Sequence, residues 1–425
     1  MGLIQVTQDS GPRRRISQSE LDIITQAHER LVAGKPGGKR VSLRFSDLSG
    51  LDLAGRELSD ADFSGSSFEG ARMAGAKLAR ANLFGCSFRR ADLRHAILTR
   101  ADIRGATLRG ANLSGADLTA ADFREGQIAI PHPRKGLDMV RHEKRNGVMD
   151  EANLAGATLD GSNFEGVSAF AADFTDCSLK GAKMARANLK DANLSGAILE
   201  DIEIAGANLS GAKLTGAVFR GIDLASIRML GADISSCLGD PTAAAAGRAE
   251  ELLGRAQGNQ RWVESGGREQ RPAVFDREDL RPLGDQLRGF ILTAMSAKGA
   301  CLVGLDLSGA QLQGANLEGA DLRAANLAGA DLRGARLAGA NLTKADLRKA
   351  ALSELPLGAG RATATQLQSS VLRYANFAGA ELTGAVLDQT DLRGADFSGA
   401  RTKGVSLRGA ELAAVIGLDL TQQAA

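Results

Sequence analysis

The groups in this 425-residue chain with the chemistry for catalysis or binding are 50 acidic side chains, four cysteines, four histidines and a crowd of arginines. Acid–base catalysis by paired carboxylates needs two that stand apart from the rest. Here they come in series. Asp92, Asp102, Asp117 and Asp122 each precede a large apolar residue, and no pair can be picked out of the row. Cys86, Cys177, Cys237 and Cys301 form no CxxC pair, so neither a zinc site nor a disulfide framework is expected. His28, His95, His132 and His142 lack metal-ligand spacing. No nucleophile–base–acid set is present, and the glycines form no phosphate-cradling loop. The expectation is a protein without catalytic, metal or cofactor residues.

Positive charge is more concentrated. Arg80, Arg89, Arg90, Arg94, Arg100, Arg104, Arg109 and Arg124 fall in one stretch. Arg134, Lys135, Arg141, Lys144 and Arg145 follow, with His132 and His142 among them, and Arg13-Arg14-Arg15 makes a basic N-terminal arm. Trp262, the one tryptophan, lies in a polar stretch from Gly258 to Arg271. These are the candidate partner-binding residues, suited to an acidic protein surface or to phosphates. Net charge is only +2, and aromatics are 4% of the chain. Nucleic acid is therefore the less favoured partner, because neither a global field nor interleaved rings for base stacking are present. An unidentified protein partner is favoured.

No run approaches 18 apolar residues, so no membrane span is expected. Met1 to Ser10 lacks the apolar core of a secretory signal, and Val6 stands where myristoylation needs Ser or Thr. A cytoplasmic protein is expected. Arginine outnumbers lysine 39 to 13 amid abundant Ala and Gly, the composition of a GC-rich bacterial genome.

The elements that carry these side chains follow one rule. From Leu43 to Ile128 a large apolar residue recurs every five positions. The pattern resumes one residue out of phase from Leu154 to Ile234, and again from Leu302 to Leu412. Of these 58 central positions, 55 are Leu, Phe, Ile or Met; the exceptions are Ala169, Ala362 and Thr402. A small residue, usually Ala, stands two before each centre. Asp or Asn often stands between, as in Ala111-Asn112-Leu113, and Gly often closes the unit. A period of five fits neither a helix nor a simple strand. It fits a coil that turns a corner every five residues, with the centre and the small residue inward, polar residues outward and Gly at corners.

This register resembles the pentapeptide-repeat family, whose units read Ala-(Asp/Asn)-Leu-x-x. The resemblance implies an all-β solenoid, a right-handed quadrilateral β-helix with four units per coil, so that residues 20 apart stack. Phe68 is then expected over Phe88 and Phe377 over Phe397. Arg89 is expected on Arg109, Arg104 on Arg124 and Arg80 on Arg100, with Arg90 and Arg94 nearby, as a positive stripe. Cys86 and Cys177 fall on the small inward position. Cys301 falls outward and is the better candidate for a reactive thiol.

Helices are expected where the repeat fails. Ser17 and Glu20 make a capping box for a helix to Val32, with Leu21, Ile24, His28 and Leu31 on one face. A short helix is expected over Gly136 to Asn146, and another from Ala243 to Gln257 after Asp240-Pro241. Leu283, Leu287, Phe290, Ile291 and Ala294 have amphipathic spacing. The expected organisation is a basic arm and capping helix (1–40), a first repeat block (41–130), a helical insertion (131–151), a second block (152–239), a helical insertion or cap (240–299), a third block (300–414) and a tail (415–425). Two solenoid bodies, each with an N-terminal helical cap, are favoured over one with two insertions. Pro356 to Thr365 keeps the frame but loses its residues, and is expected to be a bulged coil. The apolar run 412–420 is expected to be a cap or a self-association surface.

The expected function is a non-catalytic scaffold that presents flat faces and helical insertions to protein partners. Two alternatives stand beside it. Some members of the family protect DNA gyrase by mimicking a DNA duplex, which needs a strongly acidic face and goes with dimers joined at the C-terminus. This chain is slightly basic and has large insertions. The other alternative is nucleic-acid or anionic-surface binding through the arginine stripe.

Overall fold

The computed structural model describes residues 13–132 and 136–418. One unit explains the rest. Ala111 and Leu113 point inward and are buried. Asn112 faces out, and its backbone bridges Asp92 one coil before and Asn153 one coil after. The Asn112 side-chain oxygen accepts the N–H of Ser114 at 3.1 Å, which closes the turn. Gly115 then takes φ +66° at the corner, a conformation that costs a non-Gly residue about 1 kcal/mol. The same Asx turn recurs at Asp52, Asn163, Asp306 and Asn376, so Asp and Asn stand before the centre because their oxygen caps the corner.

Successive coils pair in parallel at a separation of 20, as in Asp62, Asn82, Asp102 and Asp122. The result is a four-sided β-helical solenoid. Phe68 stacks on Phe88 with centroids 5.0 Å apart, and Phe377 on Phe397 at 4.7 Å. Most of the bridges are isolated. Longer parallel pairing occurs only between β1 (Arg14–Arg15) and β2 (Ser46–Asp47), and between β5 (Ile198–Glu200) and β6 (Val218–Arg220), among the described residues.

The chain forms two compact units that meet in sequence at Gly239 and Asp240, each with its own apolar core. In the first unit, helix α1 (Gln18–Val32) starts at Ser17, whose hydroxyl accepts from the Glu20 N–H. Leu21, Thr25 and His28 are buried; Leu31, expected on that face, is exposed. The helix and its flanks satisfy the first coil's open edge. Gln18 bonds both backbone groups of Asp52, Ile16 N–H donates to Asp47 O, and His28 bridges Val41 and Ser59.

The insertion expected to be helical between the first two blocks is an antiparallel hairpin, β3 (Gly126–His132) and β4 (Gly136–Arg145). The coil runs on across it. Thr107 bridges Val148, where an unbroken coil would have brought residue 127 alongside. The segment 127–147 loops out. It amounts to four units plus one residue, which accounts for the one-residue change of phase. Phe123 stacks on Phe164 at 4.6 Å across the loop. Ile128 therefore belongs to the hairpin, and Met149 is the buried centre that replaces it.

In the second unit, α2 (Ala243–Ala246) is capped by Thr242 rather than by Asp240, and α3 (Ala249–Glu264) follows after Gly247. The expected amphipathic helix at Leu283 to Ala294 is coil. Phe275 and Leu280 are buried centres, and Phe275 N–H already bonds Ser296 O at 2.6 Å. Gly284 and Gly289 at φ +53° and +68° turn corners there, and two extra residues in this first coil gave the run its helix-like spacing. The third block thus begins near residue 273, not 300.

Pro356 to Thr365 is likewise not a bulge. Strands β7 (Leu355–Gly358) and β8 (Arg361–Thr363) form a second hairpin, and Arg336 bridges Gln366 where an unbroken coil would have brought Pro356. The segment 355–364 loops out as two whole units, so the frame survives although Leu357 and Ala362 are exposed. The Thr365 hydroxyl closes the neck, donating to Leu332 O and Ser353 O and accepting from Gly334 N–H. Ile416 bridges Asp396, so 412–418 belongs to the last coil; 419 and 420 lie outside the described residues.

Candidate functional site: the partner-binding surfaces

The arginines expected to form one stripe are spread over four edges of the first unit. Arg104 and Arg124 share an edge with Gly85 and Gly105. Arg89, Arg90 and Arg109 lie on the next, with Gly70 and Gly110. Arg94 lies on a third, beside Gly75 and Gly115. Arg80 and Arg100 stand in the column of Asp60. The 20-residue stacking is as expected, but the columns do not merge.

Most of these cations are also neutralised. Arg80 forks onto Asp60 at 2.8 and 2.6 Å. Arg94 forks onto Asp92 at 2.8 and 2.7 Å. Arg104 forks onto Asp102 and lies 5.4 Å over the Phe84 ring. Arg109 reaches Asp150 at 2.6 Å, and Arg124 forks onto Asp122. Arg89, Arg90 and Arg100 have no ion-pair partner among the described residues. Arg134 and Lys135 lie outside those residues, as does the side chain of Arg141 on β4. Trp262 is half-buried on α3, with its indole nitrogen facing Gly267.

One arrangement is spelled directly in the sequence. Asp-x-Arg, with the centre as x, recurs at 92–94, 102–104, 122–124, 279–281, 321–323, 331–333, 346–348 and 391–393, and each arginine forks onto the aspartate two residues earlier. The aspartate uses the same oxygen to accept the arginine's own N–H, as at Asp331 and Arg333. The hydrogen bond from Arg94 holds the Asp92 carboxyl below its ordinary range, and Arg94 is raised in turn. Each fork neutralises its own aspartate and arginine, while the Asp117 carboxylate bonds only Thr119 among the described residues and stands outside any fork.

The thiols are no more reactive. Cys86, Cys177 and Cys237 turn their Sγ to the carbonyls of Phe63, Leu154 and Leu214, at 3.1, 2.8 and 3.0 Å. Burial pushes the Cys86 thiol up to about 12. Cys301 is half-buried and also pushed up by burial, with Asp279 and Asp321 beside it, so the expectation of a reactive thiol is corrected. No cluster of three potential metal ligands occurs among the described residues. No helix there is long and apolar enough to cross a membrane.

What breaks the neutral, regular surface is the set of insertions. The first hairpin leaves an edge where Gly126 lies under the Phe84 ring, 2.5 Å from where a Cβ would stand. Below it lies a groove of about 440 Å³ lined by Arg104, Arg124, Glu125, Glu165 and Arg186. In the second unit, a groove of about 900 Å³ runs between α3 and residues 270–274, past Gly254, Arg255, Gly258 and the exposed Val274.

The family model for pentapeptide repeats matches residues 39–124, 148–238, 296–354 and 363–399, more than half of the chain. The chain belongs to the pentapeptide repeat family. A protein of this family carries the right-handed β-helical solenoid that its repeat encodes. Among solved structures, the plasmid-mediated fluoroquinolone resistance protein QnrB1 is 19% identical over 51% of this chain and 98% of its own, with a TM-score of 0.23. HetL, involved in heterocyst differentiation regulation in the cyanobacterium Nostoc sp. strain PCC 7120, is 20% identical over 91% of this chain and 92% of its own, with a TM-score of 0.13. The A-module of the Azotobacter vinelandii mannuronan C-5 epimerase AlgE6 is 10% identical over 97% of both chains, with a TM-score of 0.19. None of the curated proteins compared with the chain matches it.

Proposed function

We propose that this pentapeptide repeat protein is a non-catalytic, cytoplasmic scaffold that binds protein partners through the segments that leave the coil. The observation that supports this reading is the contrast between the faces and the insertions. The faces are Asp-x-Arg forks and Asx turns whose hydrogen-bonding capacity is used within the coil. The hairpins 126–145 and 355–363 and the helices 243–264 are built on residues that the repeat does not require. A rigid coil that fixes such segments reduces the ordering entropy lost when a partner binds. The helices α1 and α3 serve as end caps of the two units.

Duplex mimicry calls for an unbroken acidic face, and eight of the aspartates that precede a centre are neutralised by the arginine two residues on. Nucleic-acid binding through a cation stripe has a similar difficulty, since five of the eight arginines are paired and the eight are spread over four edges. Partner capture by the intact chain, set against a chain lacking 127–147, tests the scaffold reading. That segment is the stretch that the coil loops out between Thr107 and Val148, so its removal restores an unbroken repeat.

A further inference from the structure

Two arginines from opposite directions converge on one edge of the first unit. Arg13 belongs to the N-terminal arm, just ahead of β1, and its Nε donates to the Gly65 carbonyl at 3.0 Å. Arg145 ends β4 of the hairpin, and its Nη1 donates to the Gly85 carbonyl at 3.1 Å. Gly65 and Gly85 are corner residues one coil apart, both at positive φ, so the two carbonyls are separated by one strand spacing of about 5 Å. The hairpin's end is pressed onto the next corner in the same column: a Cβ on Gly105 would stand 3.2 Å from Arg145 Cβ.

The charge balance at this edge is incomplete. Arg145 is 7% exposed, and its Nε is buried without an acceptor. Glu143 is its one carboxylate neighbour among the described residues, 3.5 Å from Nη2. Arg13 has no ion pair among those residues; the nearby Asp47 faces Arg15 at 3.9 Å. Burial, and then the charge of Arg145, push the Arg13 guanidinium below its ordinary value. Buried cations are ordinarily paired, and two planar forks side by side match the oxygens of one tetrahedral anion.

We propose that Arg13 and Arg145 form a two-guanidinium clamp for one phosphate-type oxyanion, which ties the N-terminal arm to the base of the hairpin. The bound anion supplies the acceptors that the carbonyls of Gly65 and Gly85 and the Glu143 carboxylate leave short, and binding draws the guanidiniums into place around it. The clamp does not depend on which partner the scaffold takes.

The test is calorimetric titration of the full chain with inorganic phosphate at low ionic strength, with thermal melts in phosphate and in chloride of equal ionic strength. Arg13→Gln, Arg145→Gln and the control Arg89→Gln are run alongside. The expected result is one site per chain, a melting temperature raised by phosphate more than by chloride, and at least a tenfold loss of affinity in both clamp variants but not in the control. Arg13 lies on an arm outside the coil, so Arg13→Gln remains decisive if Arg145→Gln fails to fold. O-Phosphoserine, titrated in parallel, shows whether the clamp takes the free ion or a phosphoryl group; saturable binding of either that needs Arg13 supports it. Absence of saturable binding by both, a chloride effect as large as that of phosphate, or undiminished affinity in Arg13→Gln overturns the proposal.

Discussion

His28 and Asn259 fill the same slot in the two units. His28 accepts the Val41 N–H at Nδ1 (3.2 Å) and donates from Nε2 to Ser59 O (2.9 Å). Asn259 accepts the Ala273 N–H at Oδ1 (2.7 Å) and donates from Nδ2 to Ile291 O (3.0 Å) and Thr293 O (3.2 Å). Val41 and Ala273 each stand two residues before the first centre of their unit, Leu43 and Phe275. The helices agree as well: buried Leu21, Thr25 and His28 recur as buried Leu252, Ala256 and Asn259 at the same spacing. Each unit thus starts by the same scheme, an amphipathic helix from which a buried polar side chain satisfies the open edge of the first coil, which would otherwise be a template for mispairing.

Removing His28 orphans one backbone donor and one acceptor beneath a helix, and removing Asn259 orphans one donor and two acceptors. His28→Leu and Asn259→Leu are each predicted to destabilise by roughly 1–3 kcal/mol per orphaned group. The loss is confined to the unit that carries the change. Hydrogen exchange of the intact chain, read separately over the units 13–239 and 240–418, checks this; equal loss of protection in the unit without the change contradicts it.

Corner glycines differ in what lies above them. At Gly115 a Cβ would meet His95 Nδ1 at 2.5 Å, and φ is +66°; at Gly50, φ is +72° with nothing within 4 Å. Gly50→Ala therefore carries the backbone term alone, about 1 kcal/mol. Gly115→Ala adds the displacement of the His95 ring and is predicted to melt several degrees lower than Gly50→Ala. Equal melting temperatures for the two would remove His95 from the argument.

The forks predict acid lability. The hydrogen bond from Arg94 depresses Asp92. At Asp122, Asp331 and Asp391 burial pulls upward, yet the arginine and its backbone N–H still hold the carboxyl low. A carboxylate depressed in the folded state stabilises above its unfolded pKa of about 3.9, and that stability is lost as pH falls through the folded value. Melting temperature should be flat from pH 7 to about 5 and fall below about 4. Each exposed fork contributes at most about 1 kcal/mol, so Asp331→Asn alone should shift the curve little.

Cys86 should be inert in the native protein. Burial holds its thiol up at about 12, so thiolate is scarce at pH 8. Iodoacetamide at that pH is predicted to alkylate Cys86 only after denaturant is added, which peptide mass spectrometry reads directly.

The coil was legible in the sequence because its determinants are local: every centre, small inward residue and corner glycine lies within one five-residue unit. The stacking of Phe68 on Phe88 followed from the four units per coil that the resemblance to the pentapeptide-repeat family implies. What was misread lay in the departures. The two hairpins differ in visibility because the first adds a residue beyond whole units, which changes the frame, and the second adds whole units alone. Leu357 therefore kept the rhythm of a centre while standing exposed. Leu283 to Ala294 mimicked a helix because two extra residues shifted the spacing within one coil. The arginine stripe failed because columns were read without the carboxylate two residues earlier, although Asp-x-Arg was in plain view at Asp102 and Arg104.

The scaffold account is tested most directly by capture of partners from the native host with four tagged chains, the intact protein, deletions of 127–147 and of 355–364, and a chain with Arg255→Ala and Val274→Ala in the groove beside α3, each first shown to melt like the parent. The account predicts a protein partner held in stoichiometric amount by the intact chain and lost from one of the three variants. Recovery of nucleic acid alone, or retention of the same partners by both deletions and by the groove variant, would contradict it.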